Sequence, residues 1–380
     1  MATFTSYGMP YRQLSEIPIA VASPSLGMNI VHTLPIKIKA AAEAKFAAIE
    51  IGMDDLIAYS RSLNPDLTPP HAKYHSTGAP TLEPDPRDPA DDPLWSTLTS
   101  TALLVKSLCS ELGLHVLTLH PLSQYEGWPE HTDRHAWAWE KALRWLDVAS
   151  SLGAEMIQVG SNNELNASAG VDACAKDMLR LAQAAQERGV RVAYEPWCWG
   201  AYVNTWEGCW EIVQKANHPN LGLCLDTFQI SGSPVYGASP THPSGWILGY
   251  HPSVFTLSLH KLTESIPASK IFFLQISDGA RLDPPLGRGN ELDERWKGGW
   301  EPRQVWSAAR RPLPFEDRGY LPVLEVVEAV LGTGFRGYFS YEPFEQEQEA
   351  LDALIPDRYA QACRRAHEQL VAAVERKWRR

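Results

Sequence analysis

The sequence predicts an α/β protein: a single (β/α)8 TIM barrel with long loops on the C-terminal face of its strands. Three observations predict it. Eight short β-type runs recur along the chain, a stretch of helical period separates each from the next, and the G-x-G-x-x-G fingerprint of an open nucleotide-binding sheet follows none of them. The runs are 18–22 (PIAVA), 47–51 (AAIEI), 115–119 (HVLTL), 154–159 (AEMIQV), 190–194 (VRVAY), 221–225 (LGLCL), 270–276 (KIFFLQI) and 336–341 (RGYFSY). Their near-continuous apolar content is that of strands covered on both faces, as in a parallel sheet.

The segments between them read as helices. In 34–46 apolar residues recur at three- and four-residue steps ahead of AAIEI. In 135–152, Trp137, Ala138, Ala142, Trp145, Leu146 and Val148 share one broad face, and Gly153 stands where a left-handed glycine ends a helix. LCSELGLHV, LAQAAQERGVRV and VEAVLGTGFRGYF repeat that ending. The pattern runs without a linker, so residues 1–380 read as one domain: a barrel core over about 18–345, then a C-terminal helix and basic tail over 346–380 that ends RKWRR. Three stretches exceed ordinary strand–helix loops: 61–93, 229–252 and 278–319. Each follows a strand, which in a barrel is the catalytic face, and all three are expected to gather over the active site.

Composition narrows the function. The 380 residues are 44% hydrophobic and 21% charged, with 34 basic against 45 acidic residues and a net charge of −11. That sign of field repels phosphate backbones and anionic bilayers, so neither nucleic acid nor a membrane is an expected partner. No apolar run reaches the ~20 residues of a membrane span. The start, MATFTSYGMPYRQLSEIP, lacks the basic n-region and apolar stretch of a secretory signal. Six scattered cysteines form no C-x-x-C pair, which argues against a disulfide framework or a cysteine zinc site and for a cytoplasmic protein. The expected partner is a small-molecule substrate; self-association into a homo-oligomer is left open.

The last four strands each end on an oxygen-bearing side chain: Glu195 in Tyr-Glu-Pro, Asp226 in Leu-Asp-Thr, Gln275 in Leu-Gln-Ile and Glu342 in a second Tyr-Glu-Pro. One such residue is commonly a cap or half of a salt bridge. Three carboxylates among four such residues in consecutive units would repel one another and take up protons unless a cation neutralised them. A divalent ion held by Glu195, Asp226, Gln275 and Glu342 resolves this. All-oxygen donors suit Mg2+ or Mn2+ best, with Co2+ or Zn2+ as the softer options.

With these residues in place the chain resembles the xylose isomerase-like TIM barrels of the sugar phosphate isomerase/epimerase superfamily, and within it the 3-dehydroshikimate dehydratases, the fungal forms in particular. The stretches that carry the resemblance are YEPWCWGAYVNTWEGCWEIV, PNLGLCLDTFQISG, KIFFLQISDGARLDPPL and GYLPVLEVVEAVLGTGFRGYFSYEPF. The resemblance implies a metal-dependent lyase that removes a proton beside a keto group and expels hydroxyl, yielding protocatechuate through a metal-stabilised enolate. It implies the same four ligands, and a Ser and an Arg four residues later for the substrate carboxylate, which WSAARRPLP offers as Ser307 and Arg311, with Arg310 as the alternative.

There are departures. Where the family has a catalytic His three residues after the Asp ligand, this chain has Gln229, and an amide is no general base. The third strand ends His120-Pro121-Leu122 instead of the family's Gln-Pro-Phe, which leaves His120 and Glu126 as candidates for the base and Glu126 also as a substrate contact. Glu195 and Glu342 are themselves candidate proton-transfer groups. Glu50, with Asp54 and Asp55 beyond it, reaches toward the same mouth. Trp128, Trp197 and Trp199 follow strands three and five and suit the wall of an apolar pocket. The second reading is a keto-sugar or cyclitol isomerase or epimerase working through an enediolate at the same metal. A nuclease is disfavoured by His-poor strand ends and negative charge, and a non-catalytic binding barrel is kept open by Gln229.

Overall fold

Residues 11–65 and 92–379 are described by the structure, a computed structural model. Most of the expected loop over 61–93 therefore lies outside the described residues.

Eight strands form a closed parallel barrel: β1 (Ile19–Ala22), β2 (Ala48–Gly52), β3 (His115–Leu122), β4 (Met156–Gly160), β5 (Arg191–Glu195), β6 (Leu221–Asp226), β7 (Ile271–Ile276) and β9 (Phe339–Tyr341), with β9 returning to β1. The register carries alternate residues inward. Outward Ile49, Ile51, Val192, Leu223 and Leu225 pack against the helices. Inward Ala20, Ala48, Met156, Ala193, Cys224 and Phe273 fill the barrel floor. Each large aliphatic buried this way contributes about 1.5–3 kcal/mol, which is why the runs read as continuously apolar.

The helical layer comprises α1 (Leu34–Glu43), α2 (Met53–Leu63), α3 (Asp92–Glu111), α4 (Asp133–Leu152), α5 (Gly170–Glu187), α6 (Trp206–Ala216), α7 (Thr227–Ser231), α8 (Pro252–Ser265), α9 (Asp293–Lys297), α10 (Pro302–Ala309), α11 (Val323–Gly332) and α12 (Ile355–Trp378). Helix α4 follows its sequence signals. The Thr132 hydroxyl accepts from His135 N, Ala138, Ala142, Trp145, Leu146 and Val148 are buried, and Gly153 closes the helix at φ 68°. That left-handed conformation costs most residues steric strain that glycine escapes. Trp137, expected on the same face, is only partly buried and lies beneath Lys141 and Arg134. Arg376 and Lys377 of the basic tail lie in the last turn of α12, where Lys377 pairs with Glu328.

Two expected loops carry more structure than the sequence indicates. Residues 229–252 open inside α7. Residues 278–319 hold α9, α10 and a two-residue strand, β8 (Arg310–Arg311), which pairs antiparallel with β10 (Phe344–Glu345). Asp278 clasps the ends of this excursion by accepting from the backbone N–H groups of Gly279, Tyr320 and Leu321 at 2.7, 3.1 and 2.8 Å. The β8–β10 pairing is what brings the end of that segment over the last barrel strand. All six cysteines are free and buried. Among the described residues, no helix is long and apolar enough to cross a membrane.

Candidate active site

Inward alternation puts Glu195, Asp226 and Gln275 on the barrel's inner face at the C-terminal ends of β5, β6 and β7. Glu342 joins them because its N–H continues the pairing of β9 by donating to the Ile276 carbonyl at 3.0 Å. One oxygen from each of Glu195, Asp226 and Glu342 lies within 4.8 Å of the others, and all three residues are buried. At an effective dielectric of ~20, two unit charges about 5 Å apart repel by about 3 kcal/mol. Burial pushes the Glu195 and Glu342 carboxyls well above their ordinary range, and Asp226 upward, with mutual repulsion adding to the effect on both glutamates.

One cation opposes this. Arg311, delivered by β8, places Nη2 2.5 Å from Asp226 Oδ2 and 3.0 Å from Glu342 Oε2. Its Nε donates to Ser277 Oγ at 2.9 Å and its Nη1 to Ser307 Oγ at 3.3 Å. The guanidinium is flanked by the Phe228 and Phe344 rings. Burial works against its charge, but Asp226, Glu342 and Glu195 outweigh that and raise its pKa. One guanidinium cannot balance three carboxylates. The remaining negative charge, the all-oxygen donors and a Glu195 Oε1 that has no hydrogen-bond partner together fit a divalent cation, so the cluster can hold a metal ion.

The surrounding groups tune this cluster. Trp197 Nε1 donates to Glu195 Oε2 at 2.6 Å, and Gln158, inward on β4, donates to the same oxygen. Trp197 stacks on Trp199 with centroids 5.1 Å apart. It lies flat against Gly160, where a Cβ would fall 2.1 Å from its ring. His120 is buried with Nδ1 3.7 Å from Glu342 Oε1, while its Nε2 has no partner. Burial drives its pKa down to about 3, against an opposing hydrogen bond with Gln158, so at neutral pH it is uncharged. Asp226 Oδ1 also caps α7, accepting from Phe228 N at 2.6 Å and Gln229 N at 3.3 Å.

Other expected site residues bond through their side chains to groups outside the carboxylate cluster. The Gln229 amide oxygen accepts from Cys198 N at 2.9 Å, bracing the loop after β5 against α7. Glu126 accepts from Asn162 N at 2.6 Å and from the hydroxyl of Tyr194 at 2.8 Å. Tyr194 faces the helical layer, so Glu126 sits outside the barrel wall, and burial raises it to about 7. Trp128 donates to the Gln124 carbonyl and lies under Arg134. Arg310 points away from Arg311, to Glu291 and Gln346. Asp55 is held by Lys37 and Ser23, both at 2.6 Å. Glu50 is fully buried inside the barrel, where it accepts from Gln275 Nε2 and Ser340 Oγ. Gln158 and Ser340 were not anticipated, although each is a polar residue at an inward position of an otherwise apolar strand.

The fold and the carboxylate cluster define a barrel of the xylose isomerase-like type, and the chain belongs to that family: residues 72–362 match the model of the xylose isomerase-like TIM barrel. It is 30% identical over 352 residues to the 3-dehydroshikimate dehydratase of Neurospora crassa, covering 90% of both chains. It is 28% identical over 352 residues to the 3-dehydroshikimate dehydratase of Pseudomonas aeruginosa, but spans only 42% of that longer protein. Among solved structures, a xylose isomerase-like TIM barrel/4-hydroxyphenylpyruvate dioxygenase fusion protein superposes with a TM-score of 0.65 at 24% identity, over 95% of this chain and 44% of that one.

Proposed function

We propose that this chain is a divalent-metal-dependent lyase that dehydrates 3-dehydroshikimate to protocatechuate. The observation that carries the proposal is the buried cluster of Glu195, Asp226 and Glu342 with the Arg311 guanidinium set against it. Glu195, Asp226, Gln275 and Glu342 would hold the ion, and their oxygen donors favour Mg2+ or Mn2+. A bound ion supplies Lewis acidity at the substrate carbonyl, which makes the neighbouring C–H more acidic.

The chain's own residues do the rest. Arg311, with Ser307 beside it, offers a planar fork to the substrate carboxylate, which competes for the same N–H groups as Asp226 and Glu342. The proton beside the ketone passes to His120, whose Nε2 has no hydrogen-bond partner and which is uncharged at neutral pH. Loss of the ring hydroxyl as water then leaves an aromatic diphenol acid, so the step balances as substrate to product plus water. Trp197 and Trp199 supply a flat apolar wall suited to a six-membered ring. The free, buried cysteines are in keeping with a reducing, cytoplasmic setting.

The second reading, an isomerase or epimerase of a keto sugar or cyclitol, draws support from Glu195 and Glu342 as two carboxylates at one site. A neutral sugar leaves the Arg311 fork unused, which is why the acid substrate is preferred. Chelator-stripped protein reloaded with Mn2+ and offered 3-dehydroshikimate should form protocatechuate, read by its ultraviolet absorbance. Turnover of inososes or keto sugars with no protocatechuate would transfer the assignment to the second reading.

A further inference from the structure

Glu50 has no role in the reaction as proposed, yet it is a fully buried carboxylate in the same chamber. It belongs to β2, and β1 and β9 separate that strand from β7 in the closed sheet. Its side chain nevertheless meets β7 across the interior, because the inward residues of β1 are Ala20 and Ala22 and that of β9 is Ser340. Small side chains there leave the crossing open. Both Glu50 oxygens accept from Gln275 Nε2, at 3.3 and 3.1 Å, and Ser340 Oγ donates to Oε1.

A primary amide has a donor end and an acceptor end of nearly the same shape, and only the oxygen end can ligate a cation. Both Glu50 oxygens are met by donors, the Gln275 amide nitrogen and the Ser340 hydroxyl, so the carboxyl group takes the nitrogen end of the amide. Gln275 Oε1 is thereby turned toward β6, where Cys224 Sγ lies at 3.2 Å and the next inward residue is Asp226. Nothing else among the described hydrogen bonds of Gln275 chooses between its two ends as strictly, since a thiol both donates and accepts weakly.

We infer that Glu50 is a positioning residue that fixes Gln275 as an oxygen donor to the metal. The inference rests on the proposed metal site and goes further: Glu50 touches neither substrate nor ion and acts through the Gln275 amide. Partners of this kind, which orient a ligand from behind, typically alter metal affinity by about 10- to 100-fold when removed.

The test is calorimetric titration of Mn2+ into chelator-stripped full-length protein, with melting in chelator as the check on folding. Four proteins form a cycle: wild type, Glu50→Leu, Gln275→Leu and the double variant. Glu50→Leu should weaken Mn2+ about 10- to 100-fold, and should weaken it no further once Gln275→Leu is present. Glu50→Gln, whose carbonyl can still accept from Gln275 Nε2, should recover part of the loss. Should Glu50→Leu fail to fold, Glu50→Ala takes its place in the cycle. A Glu50→Leu affinity within two-fold of a tightly binding wild type overturns the inference alone, as does a full additional loss in the Gln275→Leu background. A wild type that does not bind Mn2+ overturns the metal reading itself.

Discussion

Replacing Arg311 by Met removes the one guanidinium set against the carboxylate cluster while keeping a side chain of similar reach. With Nη2 2.5 Å from Asp226 and 3.0 Å from Glu342, the gross attraction at an effective dielectric of ~20 is about 12 kcal/mol. Desolvation of a fully buried ion offsets most of that, and breaking a buried pair by removing one partner leaves a net cost of about 3–5 kcal/mol. For 380 residues the unfolding entropy near the melting point is about 0.8 kcal/mol/K, so the melting temperature in chelator should fall by about 4–6 °C. Mn2+ competes with Arg311 for Asp226 and Glu342, so the ion should raise the melting temperature of Arg311→Met by more than it raises that of wild type. Scanning calorimetry with and without Mn2+ reads both quantities. A melting temperature in chelator equal to or above that of wild type would refute the view that Arg311 carries the charge balance of the cluster.

Two further outcomes follow from the geometry. Burial raises Glu126 from 4.5 to about 7. The native state therefore keeps a proton that the unfolded chain has lost, and the stability this group contributes is present below pH 4.5 and declines until about pH 7, by about 3 kcal/mol in all. Glu126→Gln should remove that slope, so urea unfolding of variant and wild type should diverge in the variant's favour as pH rises from 4.5 to 7.5; a constant difference would contradict it. At Gly160 an added Cβ would sit 2.1 Å from the Trp197 ring, so Gly160→Ala should displace the indole, break its bond to Glu195 and cost about 1–3 kcal/mol of stability. Tryptophan fluorescence and thermal melts check this, and an unaltered spectrum with an unaltered melt would show that the wall yields without strain.

Much of the barrel was legible because each strand states its identity locally, and all eight runs match strands to within a few residues. The four proposed ligands could be read as a set because each stands at the end of one of the last four strands, and period two places Glu195, Asp226 and Gln275 on the inner face. The same parity applied to the strand AEMIQV would have found Gln158, and applied to RGYFSY would have found Ser340. What was not legible depends on contacts distant in sequence. Arg311 reaches Asp226 only because β8 pairs with β10, and two residues of edge strand carry no periodic signal. Glu126 and Trp128 follow strand three closely in sequence, yet the chain there turns behind the barrel wall, and proximity along the chain does not say which side of a sheet a side chain will occupy. Arg311 stands four residues after Ser307, with Arg310 as the alternative in sequence; strand alternation sends Arg310 to Glu291 and Arg311 into the barrel.

On the proposed function, three buried strand-end carboxylates and Gln275 hold one divalent ion that the dehydration requires. The most direct measurement titrates Mn2+ into chelator-stripped protein in the presence of 3-dehydroshikimate, following protocatechuate formation and bound metal together. The rate should rise from near zero and saturate at about one ion per chain, with both occupancy and rate reduced in Glu195→Gln. Protocatechuate formed at the same rate without metal, or an occupancy unchanged by Glu195→Gln, would contradict it.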